Sequence, residues 1–198
     1  MTALRRFGFL APLAAMSLAG CGLNSVPTAE EQVNAAWGNV QSEYQRRADL
    51  IPNLVRTVER YADQEREVLT DVTNARARAT SIQLNADDLE DPAKVQAFNQ
   101  AQSQLGTSLG RLLATFEAYP DLKSNQNFLT LQAQLEGTEN SILVSRRDYN
   151  EAVRQYNTTI RTFPDAIGAK IFYGAKPKVP FEAATGAQEA PKVDFNAG

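Results

Sequence analysis

Residues 31–61 read EQVNAAWGNVQSEYQRRADLIPNLVRTVERY, and this stretch decides the fold class. Its apolar side chains fall at Val33, Trp37, Val40, Tyr44, Ile51, Leu54, Val58 and Tyr61. The steps alternate between three and four, the spacing that keeps side chains on one helix face against a packed seam. The beat carries on through Val68, Val72, Ala75, Ala79 and Ile82, with Arg47 and Glu65 as the two polar interruptions. Upstream, Thr28-Ala29-Glu30-Glu31 reads as a capping box, Thr28 capping and Glu31 reaching back. No segment of the chain shows the two-residue alternation of a strand.

Two more helices repeat the pattern. One opens at Asp91-Pro92, a cap followed by proline at the first helical position. It continues through Val95, Phe98, Gln102, Leu105, Leu109, Leu112, Phe116 and Tyr119, and Pro120 ends it. The other starts near Ser124 and runs through Phe128, Leu131, Leu135, Thr138, Ile142, Ser145, Tyr149, Ala152, Tyr156, Ile160 and Phe163 to Pro164. The class is therefore all-α, and the short links at 85–91 and 120–124 make it an antiparallel bundle of long helices. Residues 28–84 as one helix would run about 85 Å, against about 40 Å for residues 92–118. That mismatch favours a first helix kinked or broken near Pro52, which gives four segments. Asp49 would then cap a helix starting at Leu50. Alternatively, Val33, Trp37, Val40 and Tyr44 pack on a second chain. Gly106, Gly110 and Gly137 stand singly inside helices, where they suit close helix approach. Ala166–Phe172 suits a short amphipathic helix.

The N-terminus has its own logic. Arg5 and Arg6 precede an apolar stretch, Phe7–Ala19, too short for a spanning helix of about 20 apolar residues. Leu18-Ala19-Gly20-Cys21 then resembles the bacterial lipobox. The expected organisation is a lipoprotein signal peptide at 1–20, cleaved between Gly20 and Cys21, and a tether at 21–27. The bundle follows at 28–173, with a mobile tail at 174–198. Cys21 is the sole cysteine, and the resemblance implies S-diacylglycerol and N-acyl groups on it. Two or more acyl chains hold a protein stably at a membrane. Gly22, where aspartate would favour inner-membrane retention in enteric bacteria, points to the periplasmic face of an outer membrane. The expected location is lipid-anchored and extracytoplasmic, with the outer membrane favoured if the host is Gram-negative.

Composition narrows the chemistry. The chain has 20 Lys+Arg against 23 Asp+Glu. Loss of residues 1–20 removes two arginines and moves the net charge from −3 to −5. A mildly acidic chain is a poor polyanion binder, which argues against a nucleic-acid partner. Histidine is absent, so neither Ser-His-Asp nor Cys-His catalysis is available. No Asp-rich calcium loop or Gly-rich phosphate loop occurs in the sequence. The reading is of no cofactor, no metal and no catalytic residue.

Several longer motifs carry a resemblance. They are Gln45-Arg46-Arg47-Ala48-Asp49-Leu50-Ile51-Pro52-Asn53-Leu54-Val55 followed by Tyr61-Ala62, and Tyr119-Pro120-Asp121-Leu122-Lys123-Ser124-Asn125 with Phe128. Next come Leu135-Glu136-Gly137-Thr138-Glu139-Asn140, Arg146-Arg147-Asp148-Tyr149-Asn150 and Tyr156-Asn157. In this order, over about residues 33–173, they resemble the LemA family. The resemblance implies a helical bundle anchored at a bacterial membrane, with no established enzyme activity. Many members carry an N-terminal transmembrane helix, where this chain has a lipobox instead. Members are sometimes associated with membrane-embedded proteases, which makes such a protease a candidate partner.

Arg46, Arg47 and Asp49, with Arg146, Arg147 and Asp148, form the candidate partner-binding set. The plainer alternative is that they cap and tie helix ends. Glu65 and Glu139 could work as paired carboxylates, or a seam carboxylate could pair with Arg47 and fix register. Tyr44, Tyr61, Tyr119, Tyr149 and Tyr156 form a stripe that suits core packing or a ligand. The functional expectation is a non-enzymatic, membrane-tethered adaptor for another envelope protein. An enzyme using carboxylates or tyrosines in a bundle cleft, and a self-assembling structural protein, are the alternatives. A homo-oligomer fits either non-enzymatic case.

Overall fold

Four amphipathic helices run up, down, up and down. The computed structural model describes residues 24–60 and 65–181; the expected signal peptide, Gly20, Cys21, Tyr61 and Ala62 lie outside them. The long helices are α1 (Ser25–Glu59), α2 (Arg66–Ser81), α3 (Pro92–Phe116) and α5 (Gln126–Thr159). Two single-turn helices, α4 (Pro120–Lys123) and α6 (Asp165–Gly168), sit before and after α5. A 3-10 turn (Asp87–Glu90) precedes α3, and a π turn (Ala169–Tyr173) follows α6. No strand occurs among the described residues. The caps of α3 and α5 follow their sequence signals. The Asp91 carboxylate accepts from the Ala93 N–H at 2.9 Å, and the Asn125 amide oxygen accepts from Asn127 and Phe128. Each satisfies N–H groups that a helix start leaves without partners.

The first helix departs from expectation in three ways. It begins at Ser25, inside the expected tether, and buries Val26. Thr28 is not its cap, since its hydroxyl bonds back to the Asn24 carbonyl at 2.7 Å. Pro27 lies in the first turn, where no intrahelical N–H is lost. Most importantly, α1 runs through Pro52, so Asp49 caps nothing and pairs with Gln45 at 2.7 Å. The second long helix begins only at Arg66, so the break between the two falls after Glu59 and not at Pro52. The beat lapses over the polar run at residues 63–67 of the sequence, and burial resumes one position late, on Leu69 and not Val68. The length mismatch resolves through α5, whose 34 residues match the 35 of α1.

Two apolar clusters fill the bundle. The lower one joins Ile51, Leu54 and Val58 of α1 to Val72, Leu105, Leu112, Phe116 and Leu135. The upper one gathers Val33, Trp37 and Tyr44 with Phe98, Ile142, Tyr149 and Tyr156. Because α2 stops at Ser81, the upper half lacks a fourth helix, and two irregular segments take its place. Leu84 and Leu89 of the link to α3 pack there, and the Leu84 carbonyl accepts from Trp37 Nε1 at 3.1 Å. The other segment is residues 175–181, expected as part of a mobile tail. They dock on α5, burying Lys178 and Phe181; residues 182–198 lie outside the described residues. Their composition hid the docking, since Pro, Lys and Ala carry no period.

Phe163, expected on the seam, is 83% exposed, because α5 ends at Thr159 and the chain turns away. The glycines also differ from expectation. A Cβ on Gly110 or Gly137 would meet nothing within 4 Å, and on Gly106 only an Arg47 nitrogen at 3.8 Å. None serves close approach. Gly110→Ala and Gly137→Ala should each therefore stabilise the protein by about 0.5–1 kcal/mol, the backbone entropy and helix propensity that glycine forfeits. Urea unfolding checks this, and a loss of stability at either site would show a contact the geometry lacks.

Candidate functional site

Between the two apolar clusters lies a polar layer built around Arg47. Its side chain sits one helical turn beyond Tyr44 and one before Ile51, so the seam carries it inward, and the residue is only 3% exposed. A buried guanidinium requires partners. Arg47 finds Glu139 on α5 at 2.8 Å, the Gln102 amide oxygen at 2.7 Å and the Gln102 carbonyl at 3.1 Å. The Tyr44 ring stacks against it, with the guanidinium carbon 5.1 Å from the centroid. Gln102 completes the layer by donating to the Ala79 carbonyl at the end of α2. Arg47 thus ties α1 to α3 and α5, and Gln102 ties α3 to α2. A layer of this kind sets register, because a slip by one turn would strand its charge in an apolar cluster.

Beside this layer a groove of roughly 740 Å³ opens between α1 and the end of α2. Tyr44, Ala48, Phe98 and Leu105 supply apolar walls. Gln41, Gln45, Arg46, Asp49, Gln83 and Gln102 bring amides and charges. The groove exists because α2 ends at Ser81 while α1 continues alongside it. Arg46 and Asp49 are exposed on its rim. The Gln41 amide nitrogen is committed to the Leu84 carbonyl at 3.0 Å, and that of Gln45 to Asp49. Neither bond uses the amide oxygen, which stays available as an acceptor.

The six charged residues singled out by sequence divide three ways. Arg47 belongs to the core. Arg146 also turns inward, with its guanidinium 4.8 Å from the Phe181 centroid and its charge acting on the Tyr44 hydroxyl. Arg147 and Asp148 pair with each other at 3.3 Å on the open face of α5. Arg46 and Asp49 alone line the groove. Of the candidate partner-binding set, the groove thus brings together only Arg46 and Asp49. Sequence reading missed the glutamines, since Gln41, Gln45 and Gln83 look like ordinary solvent-facing residues until the end of α2 is located.

The carboxylates and tyrosines also resolve. Glu65 accepts from the Tyr119 hydroxyl at 3.1 Å near the lower end of the bundle, whereas Glu139 serves Arg47 at the middle. The two carboxylates do not share a site. Burial pushes the Tyr44 and Tyr149 hydroxyls above the usual tyrosine range. Burial, aided by Glu30 and Glu90, raises Tyr156 to about 12. These hydroxyls stay neutral at physiological pH, and Tyr149 donates to the Val179 carbonyl at 3.0 Å. Among the described residues, no group of three or more His, Cys, Asp or Glu stands together to hold a metal ion. No helix among them is long and apolar enough to cross a membrane.

Comparison with known proteins adds a family to this geometry. The model of the LemA family matches residues 36–195. A Protein LemA of Metamycoplasma hominis is 25% identical over 140 residues, covering 71% of this chain and 60% of its own. Magnetosome protein MamQ 2 of Paramagnetospirillum magneticum is 27% identical over 157 residues, covering 71% and 58%. Magnetosome protein MamQ of Magnetospirillum gryphiswaldense is 26% identical with the same coverage. This chain therefore spans about 60% of the length of these relatives. None of these names denotes an enzyme.

Proposed function

The chain belongs to the LemA family, and from that premise we propose that it is a lipid-anchored, non-enzymatic adaptor holding a segment of another envelope protein in the α1–α2 groove. The observation that carries this reading is the groove's mixture of apolar walls and amide groups. An extended peptide presents alternating backbone N–H and C=O groups, which amides can answer while apolar walls take alternate side chains. The rim pair Arg46 and Asp49 would add charge selection, since rim charges steer encounters more than they hold complexes. Among the groove's lining residues Asp49 is the single carboxylate, so no carboxylate pair stands there for the enzymatic alternative. A membrane-embedded protease, the partner the family resemblance suggests, is one candidate for that segment.

A photo-crosslinking residue placed at Gln45 in intact cells tests this reading. It should capture an envelope protein that the same residue at Leu143, exposed on α5, does not. Arg46→Glu with Asp49→Lys should abolish the capture without lowering the melting temperature, because neither side chain is buried. Arg47 must be left out of that variant, since its reversal would strand a carboxylate in the core. Equal capture from Gln45 and Leu143, or none from Gln45, would sink the groove as the site.

The anchor is tested separately. Cys21→Ser should leave a larger, unprocessed precursor on gels, because the thiol is the acceptor for the lipid. The parent should resist alkaline carbonate extraction and sediment with outer-membrane vesicles if the host has them. Cleavage of the variant at Gly20 with retention on the membrane would end the lipoprotein reading.

A further inference from the structure

We infer that the segment Phe163–Tyr173 is a lipid-docking platform, whose Phe163, Ile167, Ile171 and Phe172 enter the bilayer interface beside the anchor. This rests on the lipid anchor proposed above. Of the eight large apolar side chains exposed among the described residues, five fall within this segment. Single exposed apolar residues are ordinary on a soluble surface, but a concentration of them marks an interaction site. Phe163, Ile167 and Ile171 are 83%, 52% and 68% exposed and follow one another at four-residue spacing. Gly168 and Ala169 are the buried members of this segment, and Ala169 joins the upper cluster. The small residues therefore face the bundle and the large ones face outward.

Position selects the occupant. The Ser25 hydroxyl donates to Asp165 at 2.7 Å, so the platform stands at the very start of α1. Cys21 lies four residues before Ser25, a span that cannot exceed about 14 Å even fully extended. A lipid on Cys21 would hold this end of the bundle, and no other, against the membrane. Arg161 and Lys170 are exposed within and beside the platform. Asp165 is half-buried at Ser25. Apolar side chains flanked by cations are the composition that seats in the headgroup region of an anionic bilayer.

Tryptophan fluorescence reads the depth directly. The full chain, carrying Ile167→Trp, would be reconstituted in phosphatidylethanolamine–phosphatidylglycerol vesicles with acyl chains brominated near the glycerol. Trp37, the single native tryptophan, is buried and serves as the unquenched reference. The added emission should shift to the blue and lose most of its intensity relative to unbrominated vesicles. Leu143→Trp, exposed on α5, should lose none. The mass of the N-terminal peptide reports the lipid on Cys21 independently. A lipidated protein whose Ile167→Trp stays unquenched would overturn the platform while leaving the anchor intact. An unmodified Cys21 with no vesicle binding would overturn both. A blue shift without quenching would mean that a second copy covers the platform, and would overturn its assignment to lipid.

Discussion

Phe181→Ala should destabilise the protein by about 3–5 kcal/mol, the usual cost of deleting a buried aromatic ring. The residue lies in a stretch that looks like a tail, yet it is 5% exposed. Its ring centroid is 5.1 Å from that of Tyr149 and 5.9 Å from that of Trp37. Its backbone is held on both sides by Asn150, which accepts from the Phe181 N–H at 2.7 Å and donates to its carbonyl at 3.0 Å. Asn157 holds Lys178 in the same way, at 2.9 and 2.8 Å. The spacings agree: seven residues of helix rise about 10.5 Å, and three extended residues span about 10 Å. Two asparagines seven apart on α5 can therefore grip two backbones three apart on the strap formed by residues 175–181. Removing the ring would open a cavity over Trp37 and leave the Arg146 guanidinium without the face it covers. The cost would appear as a lower denaturant midpoint with an unchanged slope. A change of less than 1 kcal/mol would mean that the strap dissociates freely, as its composition suggests.

That example shows what sequence makes legible and what it hides. The Tyr149-Asn150 and Tyr156-Asn157 pairs stand out in the sequence, seven residues apart. Periodicity places the tyrosines inside. It says nothing about what the asparagines hold, because their partner is a backbone without a pattern. The same holds across the fold. The heptad beat locates Trp37, Leu54, Phe98, Leu112 and Tyr149 in the core, since burial of a helix face depends on spacing alone. A carboxylate does pair with Arg47, but it is Glu139 beside the seam and not Glu65 on it. The beat misplaces the first break between helices, because Pro52 is a strong local signal and the apolar lapse around Glu65 is a weak one. The groove was legible only at Arg46 and Asp49. Its other walls come from α1, α3 and the end of α2, and they stand open only because α2 stops at Ser81, a boundary no capping residue announces.

The persistence of α1 through Pro52 leads to the last prediction. Proline has no N–H, so the carbonyl four residues earlier, that of Ala48, loses its helical donor. Ala48 is 2% exposed, which leaves water unable to replace the bond. Arg76 on α2 supplies it, with Nε donating to the Ala48 carbonyl at 2.7 Å. Pro52 thus exposes an acceptor to the neighbouring helix, and Arg76 docks α2 at that point. Arg76→Met keeps much of the side chain's apolar length and removes the donor. It should cost about 1.5–3 kcal/mol, the worth of a charged hydrogen bond to a buried acceptor. Pro52→Ala restores the helical donor, so in that background Arg76→Met should cost less than about 1 kcal/mol, the ordinary net value of a redundant hydrogen bond. The coupling between the two positions, read from a double-mutant cycle by urea unfolding, is the test. Costs that simply add would mean that the Ala48 carbonyl is satisfied without Arg76. The continuity of α1 would then need another cause, such as the matching length of α5 alone.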